Sequence, residues 1–182
     1  MNKARSFISF LMIFFSVSLL FGCTANSEKG DPFSVFSKDF SAELDAEING
    51  QMLSLLCQRQ GSVSKITLTS PNTLAGFTFV TDGEMTSLKV GDTEADASGR
   101  IAFLPELILS AISVKTEDIT EIKAENADGM TLTVVKTAGT VYRFDKTGTP
   151  TCIEGTINGT SVKLMFKSFS LASSSESAGA IS

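Results

Sequence analysis

From Phe40 to Ile48 apolar and polar side chains alternate without a break. Phe40, Ala42, Leu44, Ala46 and Ile48 fall on one face, and Ser41, Glu43, Asp45 and Glu47 on the other. A period of two with the charges on one side predicts a half-buried antiparallel strand. Asn49-Gly50 follows, a strong hairpin signal because both turn residues tolerate positive φ. It leads to a second strand near 51–59 carrying Leu53, Leu55 and Cys57. A third strand, through Ile66 and Leu68, is ended by Ser70-Pro71-Asn72. Residues 74–80 read as a fourth, with Phe77 and Phe79 on one face, and Asp82-Gly83 turns it into a fifth near 85–90.

Residues 91–100 read as a polar loop, and after them the period changes. Leu104, Leu107, Ile108, Ala111 and Ile112 recur at the spacing of one helical stripe, with Pro105 suited to a first turn. About three turns of helix do not stand alone in water, so this one must lie on the sheet. An acidic stretch, 117–128, leaves room for a short strand around 119–122. Strands resume at 130–136, 140–145, 151–157 and 160–169, the last two joined by Asn158-Gly159. The final strand sets Val162, Leu164 and Phe166 against Lys163, Met165 and Lys167. The fold class expected is α+β, mainly antiparallel: one strongly curved sheet, a half-barrel of about nine strands, with one short helix on its concave side.

Ahead of this domain the pattern is different again. Lys3 and Arg5 precede an apolar run, 7–21, interrupted only by serines. Fifteen residues fall short of the roughly 20 that a membrane-spanning helix needs, and the layout is that of a secretory leader. The run stops at Leu20-Phe21-Gly22-Cys23, which resembles the lipobox of bacterial lipoproteins, although Phe21 stands where most lipoboxes carry a small residue. The resemblance implies lipidation of the Cys23 sulfur and cleavage before it, with Cys23 as the first mature residue. An ordinary secretory leader and an uncleaved anchor are the alternatives. The chain then divides into a signal peptide at 1–22, a lipidated tether at 23–36, one domain at 37–170 and a disordered tail at 171–182. The location expected is extracytoplasmic, lipid-anchored to the cell membrane, or to the outer membrane if the host has one.

Composition narrows the function. Without Lys3 and Arg5 the chain has 13 basic and 20 acidic side chains, net −7, with no basic cluster to suit nucleic acid or anionic lipid. Fourteen phenylalanines against one tyrosine and no tryptophan point to a large apolar interior. Cys57 and Cys152 are an even pair that permits a disulfide, or two small hydrophobes on strands. No histidine is present, which removes Ser-His and Cys-His nucleophiles and most zinc sites. Ser62-x-x-Lys65 with Lys146-Thr147-Gly148 resembles two of three motifs of the penicillin-interacting enzymes. The middle element is missing, and the pair needs a helix where a strand is expected. Asp92-x-Glu94-x-Asp96 imitates the start of a calcium loop but has Ala97 and Phe103 where glycine and glutamate belong. Glu117, Asp118, Glu121, Glu125 and Asp128 offer carboxylates that could pair for glycoside cleavage, a hydrolase being the least favoured alternative, but they read by default as a solvated face. No cofactor, metal or catalytic residue is expected, and the chain is not read as an enzyme.

Leu68-Thr69-Ser70-Pro71, then Leu74-Ala75-Gly76-Phe77-Thr78-Phe79 and Asp82-Gly83, resembles a segment of small clostridial-type surface lipoproteins. In pattern it is also similar to the half-barrel of the LolA/LolB lipoprotein carriers. That resemblance implies an apolar cavity between sheet and helix that takes acyl chains, and a lipid or other hydrophobic small molecule as ligand. Candidate cavity residues are Phe40, Leu44, Ile48, Leu68, Phe77, Phe79, Leu107, Ile108, Ile112 and Phe166. The alternative is a structural or interaction module of the envelope with a closed core.

Overall fold

The structure is a computed structural model and describes residues 31–97, 99–127 and 129–172. Eleven strands among these residues form one open, curled antiparallel sheet. In chain order they are β1 (Phe40–Ile48), β2 (Gln51–Gln60), β3 (Val63–Ser70), β4 (Thr78–Thr81), β5 (Thr86–Val90) and β6 (Thr93–Asp96). After the helix α1 (Phe103–Ile112) come β7 (Glu121–Ala127), β8 (Met130–Lys136), β9 (Thr140–Phe144), β10 (Pro150–Ile157) and β11 (Thr160–Leu171). Their spatial order is β6-β5-β4-β3-β2-β1-β11-β10-β9-β8-β7. Two meanders therefore start side by side at β1 and β11 and grow outward. α1 lies on the connection between the two free edges, β6 and β7, so the helix is the strap that joins the rims of the half-barrel.

The period-two pattern of β1 dictates the register of its neighbours. Ala42 sits opposite Cys57, Cys57 opposite Ile66, Ile66 opposite Phe79 and Phe79 opposite Leu88. In the other arm Ala46 faces Leu164, which leads across to Ile153, Tyr142, Val135 and Ile122. These rows make up the inner face. The Asn49-Gly50 and Asn158-Gly159 hairpins have the positive φ angles their sequences require. Gly155 is needed for a different reason: a Cβ there would lie 2.2 Å from the Gly139 carbonyl oxygen, which accepts the Thr156 N–H.

The two strands beyond the nine expected are the edges. β6 falls in the stretch read as a polar loop, and all four of its residues are exposed. An edge strand wet on both faces shows no alternation, so hydropathy gives no sign of it. β7 covers more of the acidic stretch than the 119–122 segment expected, after a 3₁₀ turn at Thr116–Asp118. The fourth strand starts at Thr78 instead of 74. Residues 71–76 form successive turns, with Leu74 N–H on the Pro71 carbonyl and Gly76 at φ +88°. Structure also begins earlier than the tether boundary at 36. Pro32–Ser37 is a 3₁₀ turn whose Phe33 and Phe36 are buried in the core, with the Asp31 carboxylate accepting from Phe33 N–H. Leu171 still belongs to β11, whereas the leader, Cys23 and the tail from 173 lie outside the described residues.

The turn at Pro32–Ser37 defines an entry end of the half-barrel. There lie the start of β1, the finish of β11, and the turns β2–β3, β4–β5, β7–β8 and β9–β10. The hairpins at Asn49-Gly50 and Asn158-Gly159 lie at the far end, tied by the Asn49 N–H on the Ser161 carbonyl.

Candidate functional site

Of the stripe predicted for α1, Leu107, Ile108, Ala111 and Ile112 are in the core with Pro105 and Leu104 packs against it half-buried, while Glu106 and Ser110 face water. Among the described residues no side-chain hydrogen bond and no ion pair joins α1 to the sheet. The Ala102 N-cap also makes no side-chain bond. The helix rests on apolar contact alone, which is non-directional.

Of the candidate cavity residues, Phe40, Leu44, Leu68, Phe79, Leu107, Ile108 and Ile112 are buried in one core cluster; Ile48, Phe77 and Phe166 pack against it half-buried. Phe77 precedes β4 and takes part through its backbone, its carbonyl accepting from Leu68 N–H. Five further aromatic residues outside the candidates belong here: Phe33, Phe36, Tyr142, Phe144 and Phe169. Phe36 has ring centroids of Phe40, Phe144, Phe166 and Phe169 within 6.3 Å, and Phe33 lies edge-on to Tyr142 at 4.9 Å. The signal for Phe33 and Phe36 is Asp31-Pro32 ahead of a Phe-x-x-Phe pair, a cap and first-turn proline followed by helical spacing. Phe169 is reached through a β-bulge. Glu43 pairs with Ser168 but Leu44 with Phe166, so Lys167 is the extra residue. That offset lets Phe166 and Phe169, three apart, both face the core, which a regular strand forbids.

Lys167 keeps the outer face that the alternation predicts, and its ammonium lies 2.6 Å from the Asp45 carboxylate. Ser54 Oγ donates to the same oxygen at 2.6 Å. The Lys167 hydrogen bond, then that of Ser54, holds the Asp45 carboxyl below its ordinary range. Two surface depressions of about 260 Å³ each occur on this outer side. One is lined by Gln58, Gln60, Val63, Lys65 and Val80, and the other includes Glu43, Ser54, Thr69 and Lys167.

The sequence motifs for chemistry are not assembled. Ser62 sits in the β2–β3 turn and Lys65 is exposed on β3, without the helix their pairing needs. Lys146-Thr147-Gly148 is the β9–β10 turn, in which the Asp145 carboxylate accepts from Thr147 N–H, Thr147 Oγ1 and Thr149 N–H. Glu94 is on β6, accepting from Ser87 Oγ and paired with Lys89. Glu121 pairs with Lys136 at 2.6 Å. Among the described residues no group of three His, Cys, Asp or Glu side chains is placed to hold a metal ion. Cys57 and Cys152 are free. Cys57 is on the inner face of β2, and Cys152 is on β10 beside Arg143 with Nη1 3.8 Å from Sγ. Burial pushes the Cys57 thiol up to about 12 and raises that of Cys152 as well.

Comparison with protein-family models and with curated proteins finds no match. Solved structures do match. MucB is similar over 82% of this chain, at 12% identity and a TM-score of 0.50, and this chain spans 60% of MucB. What the two have in common is a fold. Weaker likeness is found to the lipoprotein LppX of Mycobacterium tuberculosis, at 14% identity and a TM-score of 0.47, covering 76% of this chain and 91% of that one. A LolA superfamily protein of Nitrosomonas europaea matches at 9% identity and a TM-score of 0.40, covering 75% and 87%.

Proposed function

We propose that this chain is an extracytoplasmic lipoprotein, anchored through Cys23, that holds a lipid or other hydrophobic ligand against the concave face of its half-barrel. The observation that carries this reading is the cover over that face. Apolar rows run across the sheet from β5 to β7, and α1 covers them by apolar contact together with Phe33 and Phe36 of the first turn. An acyl chain offers that face the same non-directional contact that α1 does, so helix and ligand exchange without stranding a polar group. Ile108 and Leu107 are then the side chains that meet the ligand from the lid, and Leu44, Leu68 and Phe79 meet it from the sheet. The role is one of binding, with no bond made or broken.

Native mass spectrometry of the protein extracted from its own membrane, combined with uptake of a fluorescent fatty acid, tests the ligand. The expected result is a co-purifying acyl species beyond the anchor and saturable uptake. Absence of both leaves the second reading, a closed-core interaction module, which the burial of seven of the ten candidate residues favours. Labelling with an alkyne palmitate tests the anchor separately and is expected to vanish in Cys23→Ala.

A further inference from the structure

Exposed apolar side chains scattered over a surface carry no message. Here they gather. Eight large apolar residues among the described ones are exposed, and four of them, Val63, Met85, Met130 and Leu171, belong to the entry end. Strand register and turn geometry place all four. Val63 opens β3 opposite Gln60, Met85 closes the β4–β5 turn, Met130 pairs with Ala127 at the β7–β8 turn, and Leu171 pairs with Phe40. Ile101 and Phe103 lie just ahead of and at the start of α1. Met52 and Val90 belong to the far end.

The same end receives the chain from Asp31. Eight residue steps separate Asp31 from Cys23, and even fully extended they reach no more than about 29 Å. A lipid on Cys23 therefore keeps the entry end near the bilayer. The far end is removed by the length of the strands, about 33 Å for a ten-residue β2. Three carboxylates at the entry end are engaged by backbone N–H groups: Asp39 accepts Gly61 N–H, Asp82 accepts Glu84 and Met85 N–H, and Asp145 accepts Thr147 and Thr149 N–H.

We infer that the entry end is a membrane-contact surface, which seats the half-barrel upright on the phospholipid bilayer through its rim of apolar side chains. This rests on the lipid anchor at Cys23. It adds to that anchor a fixed orientation, with the far-end hairpins pointing away from the bilayer. Contact of this kind is apolar, and it needs neither anionic lipid nor low salt.

Photo-methionine tests the orientation in the unaltered protein in its own membrane. Met85 and Met130, 69% and 60% exposed, face the bilayer in this arrangement, and Met52, 53% exposed, faces away. Cells grown on photo-methionine are irradiated, and lipid adducts are mapped by peptide mass spectrometry. Alkyne-palmitate labelling of the same preparation reads the anchor. Lipid adducts on the Met85 and Met130 peptides, at least tenfold above the Met52 peptide, are the expected result. Equal adducts at Met52, no adducts at all, or protein adducts in place of lipid would overturn the contact surface while palmitate labelling persists. Loss of palmitate labelling with the Met85 and Met130 adducts retained would remove the anchor and keep the surface.

Discussion

Phe36→Ala probes whether Pro32–Ser37 belongs to the domain or only leads to it. The Phe36 side chain is 2% exposed and meets four other phenylalanine rings. Returning a phenyl ring to water costs about 2–3 kcal/mol. The cavity it leaves and the lost edge-on contacts raise the total to about 3–5 kcal/mol. A domain of this size has about 5–15 kcal/mol in all, so the variant stays folded but is visibly weakened. With a urea slope near 2 kcal/mol/M, the midpoint drops by about 2 M. Urea unfolding of the chain from Thr24 onward, followed by far-UV circular dichroism, measures it, with Phe36→Leu expected to recover more than half the loss. A shift below about 0.3 M would refute the reasoning, because a ring packed among four others cannot be deleted at the cost of a surface substitution.

The chain from Thr24 onward carries two thiols, and a disulfide-exchange reagent near pH 8 is expected to titrate Cys152 slowly and Cys57 only after unfolding; rapid release of two equivalents from the folded protein would contradict the burial of Cys57. The depressed Asp45 carboxyl contributes stability above its unfolded pKa of about 3.9, lost as pH falls through the folded value. Urea midpoints at pH 7 and pH 2.5 should therefore fall further for the wild type than for Asp45→Asn, and equal falls would exclude the Lys167 pairing as the cause.

The centre of the sheet was plain in the sequence because its strands are wet on one face only. β1 and β2, with Asn49-Gly50 between them, show this, and the stripe of α1 was equally plain because a lone helix on a sheet has one dry side. Hydropathy fails where that one-sidedness ends. Edge strand β6 has no dry face, Phe36 lies in a six-residue turn too short to establish a period, and Phe169 comes into the core only because Lys167 interrupts the alternation. The ten candidate residues are legible only as side chains that leave water, because that is all a pattern marks, and each of them does so at least in part. Whether a ligand or α1 replaces the water depends on the free energy difference between two apolar covers, and no pattern encodes that difference.

The pairing of β1 with β11 has a consequence for how the protein comes into being. Phe40 meets Leu171, so the spine of the sheet joins the earliest strand to the latest one. Closing that loop costs entropy before any other contact compensates for it, and topologies of this type fold slowly. During synthesis the first six strands can form a meander, but its innermost strand keeps an open hydrogen-bonding edge until β11 has been made. A nascent chain stalled short of β11 therefore presents β1, with its unbroken alternation, to whatever else has an unpaired edge.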